Sequence, residues 1–173
     1  MSVKHDLFKF ARINFKNGVF DVKEIYKHAR EWLYYGKTYS VKEAKYKEKI
    51  TSAGREIKIA WIAKRDIDEY TRFQIEVYWQ MFAIKNVKVE HEGAGIKLQS
   101  GEMDVFVSAY LIFDYNDRWE QSVFLKFLKT FYEKYLYSGT KEKLKQQLWR
   151  ESWDFYNEMK AYINLYHTGN YVG

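Results

Sequence analysis

Residues 72–81, with the sequence RFQIEVYWQM, decide the fold of this chain. Hydrophobic residues occupy every second position from Phe73 to Met81, and polar residues or Tyr78 stand between them. A period of two is typical of a β-strand with one buried face, because successive side chains leave a strand on opposite sides. This stretch therefore predicts a strand that packs one face against the core.

The same alternation continues on both sides of this stretch, and turn-forming residues separate the alternating segments. Sequential strands with short connections favour an antiparallel meander. We expect turns at Ser52–Gly54, Gly93–Gly95 and Ser100-Gly101. The predicted strands, six or seven in number, are residues 7–15, 39–51, 55–65, 72–81, 87–89, 96–98 and 103–113.

Residues 39–51 admit two interpretations. Their many lysines and glutamates suit a helix, but their side chains also alternate with the period of a strand. A turn and the strong strand at 55–65 follow directly, which favours a hairpin of 39–51 with 55–65. The helix stays open as the alternative.

Three helices are predicted outside the sheet. Asp21, with Glu24 three residues later, is typical of a capping box, and Gly36 is placed to end that helix in the left-handed conformation. The last helix is expected from about Lys141 to Tyr166. The middle helix begins near Asp117, and its expected buried stripe is Trp119, Val123, Phe124, Phe127, Leu128, Phe131, Tyr135 and Leu136.

The last helix is hydrophobic around more than one face. Trp149, Trp153 and Tyr156 widen its apolar stripe beyond what a single contact surface would bury. Such a helix needs a second surface, and this predicts self-association, with a homodimer as the expected form. Docking of the same residues between the sheet and a neighbouring helix is the alternative.

These elements predict a single α+β domain over residues 1–173. A strand, a helix and the meander occupy residues 7–116, two helices occupy 117–166, and 167–173 form a tail. The expected architecture is a curved antiparallel sheet of about six or seven strands, packed against a long C-terminal helix.

The composition excludes several classes of protein. The chain of 173 residues contains no cysteine, which excludes disulfides and thiolate chemistry. Its first residues lack the apolar core of a signal peptide, and no apolar run approaches the roughly 20 residues of a membrane span. We therefore expect a soluble, cytoplasmic protein without a membrane partner.

No catalytic or cofactor motif stands out. The four histidines are scattered and none belongs to a cluster with metal-ligand spacing, so neither a metal site nor a cofactor is predicted. Asp66, Asp68 and Glu69 are close together before a strand, where carboxylates act as turn residues more often than as an acid–base pair. The prediction is a non-enzymatic protein.

The basic segment at 37–64 is the strongest functional signal. It holds eight basic and three acidic side chains. If 39–51 is a strand, Lys45, Lys47 and Lys49 share one face, and such surfaces bind phosphate backbones. Lysines on an exposed strand also protect a sheet edge from aggregation, which is the alternative explanation. The predicted nucleic-acid-binding residues are Lys42, Lys45, Lys47, Lys49, Arg55, Lys58 and Lys64.

The order strand, helix, long meander and long C-terminal helix resembles the helix-grip fold of the START-like, or polyketide-cyclase-like, superfamily. The resemblance covers about Leu7 to Tyr137 and depends on element order. It implies a hydrophobic cavity between the sheet and the long helix, and with it a carrier of a hydrophobic small molecule. A filled core is the alternative. The residues implied as the cavity lining are Trp61, Phe73, Trp79, Val107 and Leu111.

The chain also resembles a set of small archaeal proteins, in the stretches Val22–Gly36, Tyr110–Tyr115 and Phe124–Leu128. That resemblance implies an archaeal origin. Our first functional hypothesis is a basic protein that binds RNA or a ribosomal particle, in the manner of a translation or hibernation factor. The START-like carrier is the second hypothesis, and an enzyme is the third.

Overall fold

The computed structural model describes residues 2–116, 123–131 and 138–167. Within these ranges the chain is α+β, with an open antiparallel sheet and a long C-terminal helix. The strands are β1 (Val3–Phe20), β2 (Ser40–Thr51), β3 (Gly54–Asp66), β4 (Thr71–His91) and β5 (Ala94–Phe113), and the helices are α1 (Val22–Glu31), α2 (Val123–Phe131) and α3 (Ser138–His167).

The sheet has the order β1-β5-β4-β3-β2, so its described part has five strands rather than the predicted six or seven. Residues 72–81 and 87–89 belong to the one strand β4, which continues through a bulge near Ala83. The expected turn at Ser100-Gly101 is also wrong, because β5 runs through it. A Cβ at Gly101 would lie 2.6 Å from the Ile84 side chain, so glycine permits this close approach.

Residues 40–51 form a strand, which confirms the hairpin interpretation. β2 pairs with β3 from Thr51 opposite Gly54 to Ser40 opposite Lys64. The register shifts once, between Glu43 and Lys45, where Ala44 forms a bulge. A bulge changes which face of the sheet the following side chains reach.

One face of the sheet, which we call the inner face, carries Trp61 and Trp79 and packs against α1 and α3; we call the opposite face the outer face. The predicted inward positions of β3, β4 and β5 are buried as expected. The two helices also contact each other, since the rings of His28 and Tyr162 stack at 3.9 Å.

Asp21 caps α1 as predicted, because its side chain accepts hydrogen bonds from the backbone N–H groups of Lys23 and Glu24. The prediction that Gly36 adopts the left-handed conformation is wrong. The helix widens into a π-helical turn at Trp32–Gly36, and the chain adopts the left-handed conformation at Thr38 instead, with φ 59°.

The buried stripe predicted for the middle helix is also wrong in the part that the structure describes. On α2, Val123, Phe124, Phe127 and Phe131 are exposed, to between 50% and 85%. Helical spacing shows that residues share a face but does not show what covers that face. The predicted start of this helix near Asp117, the side chain of Leu128 and most of the predicted tail lie outside the described residues. So do the remaining stripe positions, Trp119, Tyr135 and Leu136. No helix in the described ranges is long and apolar enough to cross a membrane.

Candidate nucleic-acid interface

The bulge at Ala44 gathers lysines on the outer face of the β2–β3 hairpin. With strict alternation, Lys42 and Lys45 would point to opposite faces of the sheet. The register shift at Ala44 places both on the outer face. Lys47 pairs with Lys58, and Ser40 pairs with Lys64. We call this group the lysine face; it consists of Lys42, Lys45, Lys47, Lys49, Lys58 and Lys64.

None of these six lysines forms an ion pair with a carboxylate of the described residues, and those on β2 are exposed. The acidic residues of β2 point to the other face. There Glu43 accepts a hydrogen bond from the Tyr26 hydroxyl at 2.7 Å, and Glu48 accepts one from the Tyr46 hydroxyl at 2.9 Å. Glu56, which pairs with Lys49, shares the lysine face.

The structure does not bring Arg55 together with the lysines. Its guanidinium lies on the inner side of the hairpin, 3.3 Å from a Glu48 carboxylate oxygen and 3.4 Å from the Asn86 side-chain oxygen. There it lines a cleft with Tyr46 and Ile57. The other six predicted nucleic-acid-binding residues share one face.

A row of aromatic residues crosses the outer face next to these lysines. The strand registers align Lys45 on β2 with Ala60, Tyr78, Phe106 and Arg12 on the successive strands. The centroids of the Tyr78 and Phe106 rings are 6.4 Å apart, with 32° between the ring planes. We call these two rings the aromatic pair. Neither ring of the aromatic pair was predicted as a site residue, although both occupy polar-side positions of their strands.

At the β1 end of this row, Arg12 forms an ion pair with Asp104. Arg12 donates two hydrogen bonds to Asp104, at 2.9 and 2.8 Å, and Asn14 donates a third at 2.6 Å. The hydrogen bond from Arg12 is the largest cause that lowers the pKa of Asp104 below its ordinary value. The Arg12 guanidinium also lies 5.9 Å from the centre of the Phe106 ring. The charge of Arg12 is therefore already paired.

The five residues implied as a cavity lining lie together on the inner face and are buried. Each is at most 1% exposed. The Trp61 ring contacts the rings of Tyr26 and Trp79, with centroids 4.6 and 5.3 Å apart. Three clefts lined by described residues include none of the five, which are Trp61, Phe73, Trp79, Val107 and Leu111.

Two of the three predicted self-association residues dock α3 on β1. Trp153 stacks on Phe8 with a centroid separation of 5.2 Å, and the Tyr156 hydroxyl donates to the Arg12 carbonyl at 3.0 Å. Trp149 is 52% exposed. The alternative that the sequence left open, docking against the sheet, accounts for Trp153 and Tyr156.

The described ranges hold no group of three or more His, Cys, Asp or Glu side chains placed to bind a metal. The acidic cluster before β4 has local roles. Asp68 accepts hydrogen bonds from the backbone of Tyr70 and Thr71, and Arg72 binds Asp66, which lowers the pKa of Asp66. These are contacts of turn residues.

Comparison of the chain with models of protein families, with curated proteins and with solved structures gives no match.

Proposed function

We propose that the protein binds RNA and that the lysine face holds the phosphate backbone. The observation that carries this proposal is the set of six lysines on one face without a carboxylate in ion-pair contact among the described residues. Lysine surfaces bind phosphates through the release of condensed counterions, without reading the sequence. A ribosomal particle is the source of RNA that we propose.

The position of two lysines argues against edge protection as the full explanation. β2 is an edge strand, so lysines there would also keep other strands from pairing with it. Lys58 and Lys64 lie on β3, which pairs with β2 on one side and β4 on the other. A strand inside the sheet needs no protection, and binding of an anion explains these two lysines as well.

The helix-grip interpretation, with a START-like carrier of a hydrophobic molecule, is the second hypothesis. Such a carrier would need an opening between the sheet and α3. In that region Trp153 of α3 stacks on Phe8 of β1, and the ring contacts of Trp61 with Tyr26 and Trp79 lie between the sheet and α1. These contacts favour a filled core and leave RNA binding as the function with better support.

Charge reversal on β2 tests the proposal. The variant K45E/K47E/K49E should bind a fluorescently labelled RNA at least ~100-fold more weakly than the wild-type protein at low salt, because phosphate contacts dominate such affinities. The dependence of log K on log salt should also become shallower, by about 2 for three lost contacts to a single strand. Fluorescence anisotropy over a salt series measures both quantities.

A matched variant controls for net charge. K27E/K143E/K160E makes the same charge change at exposed lysines of α1 and α3, away from the lysine face. It should keep most of the affinity. Equal losses in the two variants would contradict a localised site, and unchanged affinity in K45E/K47E/K49E would overturn the proposal.

A further inference from the structure

We infer that the outer face binds RNA as a single strand, with bases stacked on Tyr78 and Phe106 while the lysine face holds the adjoining phosphates. This inference rests on the proposed function and adds the class of RNA and the place of its bases.

The aromatic pair has the geometry of a stacking surface. Tyr78 and Phe106 lie opposite each other on β4 and β5 and are partly exposed. The described contacts of these rings are with each other and with Arg12, whereas α1 and α3 contact the inner face. Aromatic rings on an open surface stack nucleic-acid bases of any sequence, because every base has a π face.

Ala60 keeps the path between phosphates and bases clear. It is the residue of β3 in the row that joins Lys45 to Tyr78. Two strand spacings, about 10 Å, separate Lys45 from Tyr78 in this direction. A methyl group between them leaves a shallow depression across which a nucleotide can extend from a lysine-bound phosphate to a ring.

The distribution of charge sets the direction in which the RNA lies. The lysines are on β2 and β3, while Glu76 and Asp104 reach the outer face from β4 and β5. Both carboxylates are paired with basic residues of β1, Glu76 with Lys4 and Asp104 with Arg12. Phosphates are therefore favoured at the hairpin, and the uncharged bases are favoured at the aromatic pair.

Stacking requires a single strand. In a duplex the flat faces of the bases are covered by their neighbours, and proteins reach the backbone and groove edges instead. A protein that used only the lysine face would bind the duplex at least as tightly as the single strand, because the duplex has the higher charge density. In that case the aromatic pair would serve as a cross-strand contact that stabilises the sheet.

Binding of one RNA in two forms tests the inference. The probe is a short labelled RNA of mixed sequence, alone and annealed to its complement. The wild-type protein should prefer the single strand. The affinity of the variant Y78L/F106L for the single strand should fall about 30-fold or more, at ~1 kcal/mol or more per unstacked base. Its affinity for the duplex should change little. Leucine keeps the hydrophobic contacts, and circular dichroism checks the fold.

Y34L/Y35L is the matched control, since both tyrosines are exposed on the π-helical turn, away from the outer face. It should leave both affinities unchanged. Equal binding of the two RNA forms, or tighter binding of the duplex, with no loss in Y78L/F106L, would overturn the inference while K45E/K47E/K49E still tests the proposed function. Absence of salt-sensitive binding to either form would overturn both.

A cross-link provides a readout that does not depend on any variant. RNA that contains 4-thiouridine should, on irradiation, join to the tryptic fragments 73–85 and 98–118, which hold Tyr78 and Phe106. Attachment to either residue would support stacking. Cross-links confined to other fragments would contradict the inference.

Discussion

Neighbouring residues of β3 show how differently the two faces of the sheet use charge. Arg65 points inward, donates to Glu151 at 2.8 Å and to the Lys37 carbonyl at 2.7 Å, and lies over the Tyr39 ring. Lys64 points outward, is exposed and has no ion pair with a described residue. The inner charge holds the fold together, and the outer charge is available to a ligand.

This contrast predicts that changes on the inner face lower stability, whereas changes on the outer face lower RNA affinity. The expected effects on the free energy of unfolding fall from the buried core of the inner face to the exposed ion pairs of the outer face.

Trp79→Ala should have the largest effect. Trp79 is fully buried on the inner face and packs against Trp61. We expect the free energy of unfolding to fall by about 3–5 kcal/mol, because a large core side chain is replaced by a cavity. Urea denaturation measures the loss. The RNA affinity of the folded variant should be unchanged. A large loss of affinity under folding conditions would contradict the division of roles between the inner and the outer face.

Glu151→Ala should lower the free energy of unfolding somewhat less than Trp79→Ala does. The Glu151 and Arg65 side chains are 10% and 16% exposed, so the change leaves a largely buried guanidinium without its carboxylate. We expect a loss of about 3 kcal/mol in the free energy of unfolding. Arg65→Met combined with Glu151→Leu should recover much of this loss, since no charge remains buried. A double variant as unstable as Glu151→Ala would contradict this account.

The ion pair of Arg65 and Glu151 should also make the stability depend on pH. Burial alone would raise the pKa of Glu151, but hydrogen bonds from Arg65 and Gln147 hold it below its ordinary value of 4.5. A lowered pKa in the folded state stabilises the fold above pH 4.5, and this contribution disappears as the pH falls below that value. The stability difference between wild type and Glu151→Gln should therefore shrink in acid, as urea denaturation at several pH values would show. A difference that stays constant would contradict the prediction.

Lys4→Met should have the smallest effect. Lys4 lies on the outer face at β1, 2.8 Å from Glu76, and the two side chains are 41% and 34% exposed. Solvent screens such a pair, so we expect about 0–1 kcal/mol in the free energy of unfolding. RNA affinity should also change little, because this lysine is paired and lies away from the lysine face. A loss of affinity as large as that of K45E/K47E/K49E would show that the site extends across the sheet.

The alternation of hydrophobic residues was enough to predict which side chains are buried. Phe73, Val77 and Trp79 were assigned to the buried face from period two alone, and all are buried. The hairpin of 39–51 with 55–65 was also predictable, from the turn between them and the alternation of both segments. Burial of one face of a strand leaves a direct trace in the sequence.

Bulges leave no comparable trace, and they account for two features that the alternation did not show. The bulge near Ala83 joins two predicted strands into β4, and the one at Ala44 brings Lys42 to the same face as Lys45. A shift by one residue reverses the face of every side chain beyond it. Arg55 was grouped with the lysines because position at a hairpin tip does not reveal which side a long side chain takes.

The aromatic pair could have been found from the sequence. Tyr78 and Phe106 stand at positions that the alternation assigns to the solvent side, and an aromatic residue there is a departure from the pattern. Their alignment across β4 and β5 could not be found in the same way, because it depends on the register. The exposed stripe of α2 shows the same limit, since spacing does not identify a helix's neighbours.

Lysine footprinting tests the central claim most directly, because one experiment on the wild-type protein compares all lysines. The protein would be acetylated briefly with and without RNA, and the modification of each lysine measured by mass spectrometry. The account predicts protection of Lys42, Lys45, Lys47, Lys49, Lys58 and Lys64 and unchanged reactivity at Lys27, Lys143 and Lys160. Equal protection of both groups, or protection of the helical lysines alone, would contradict it.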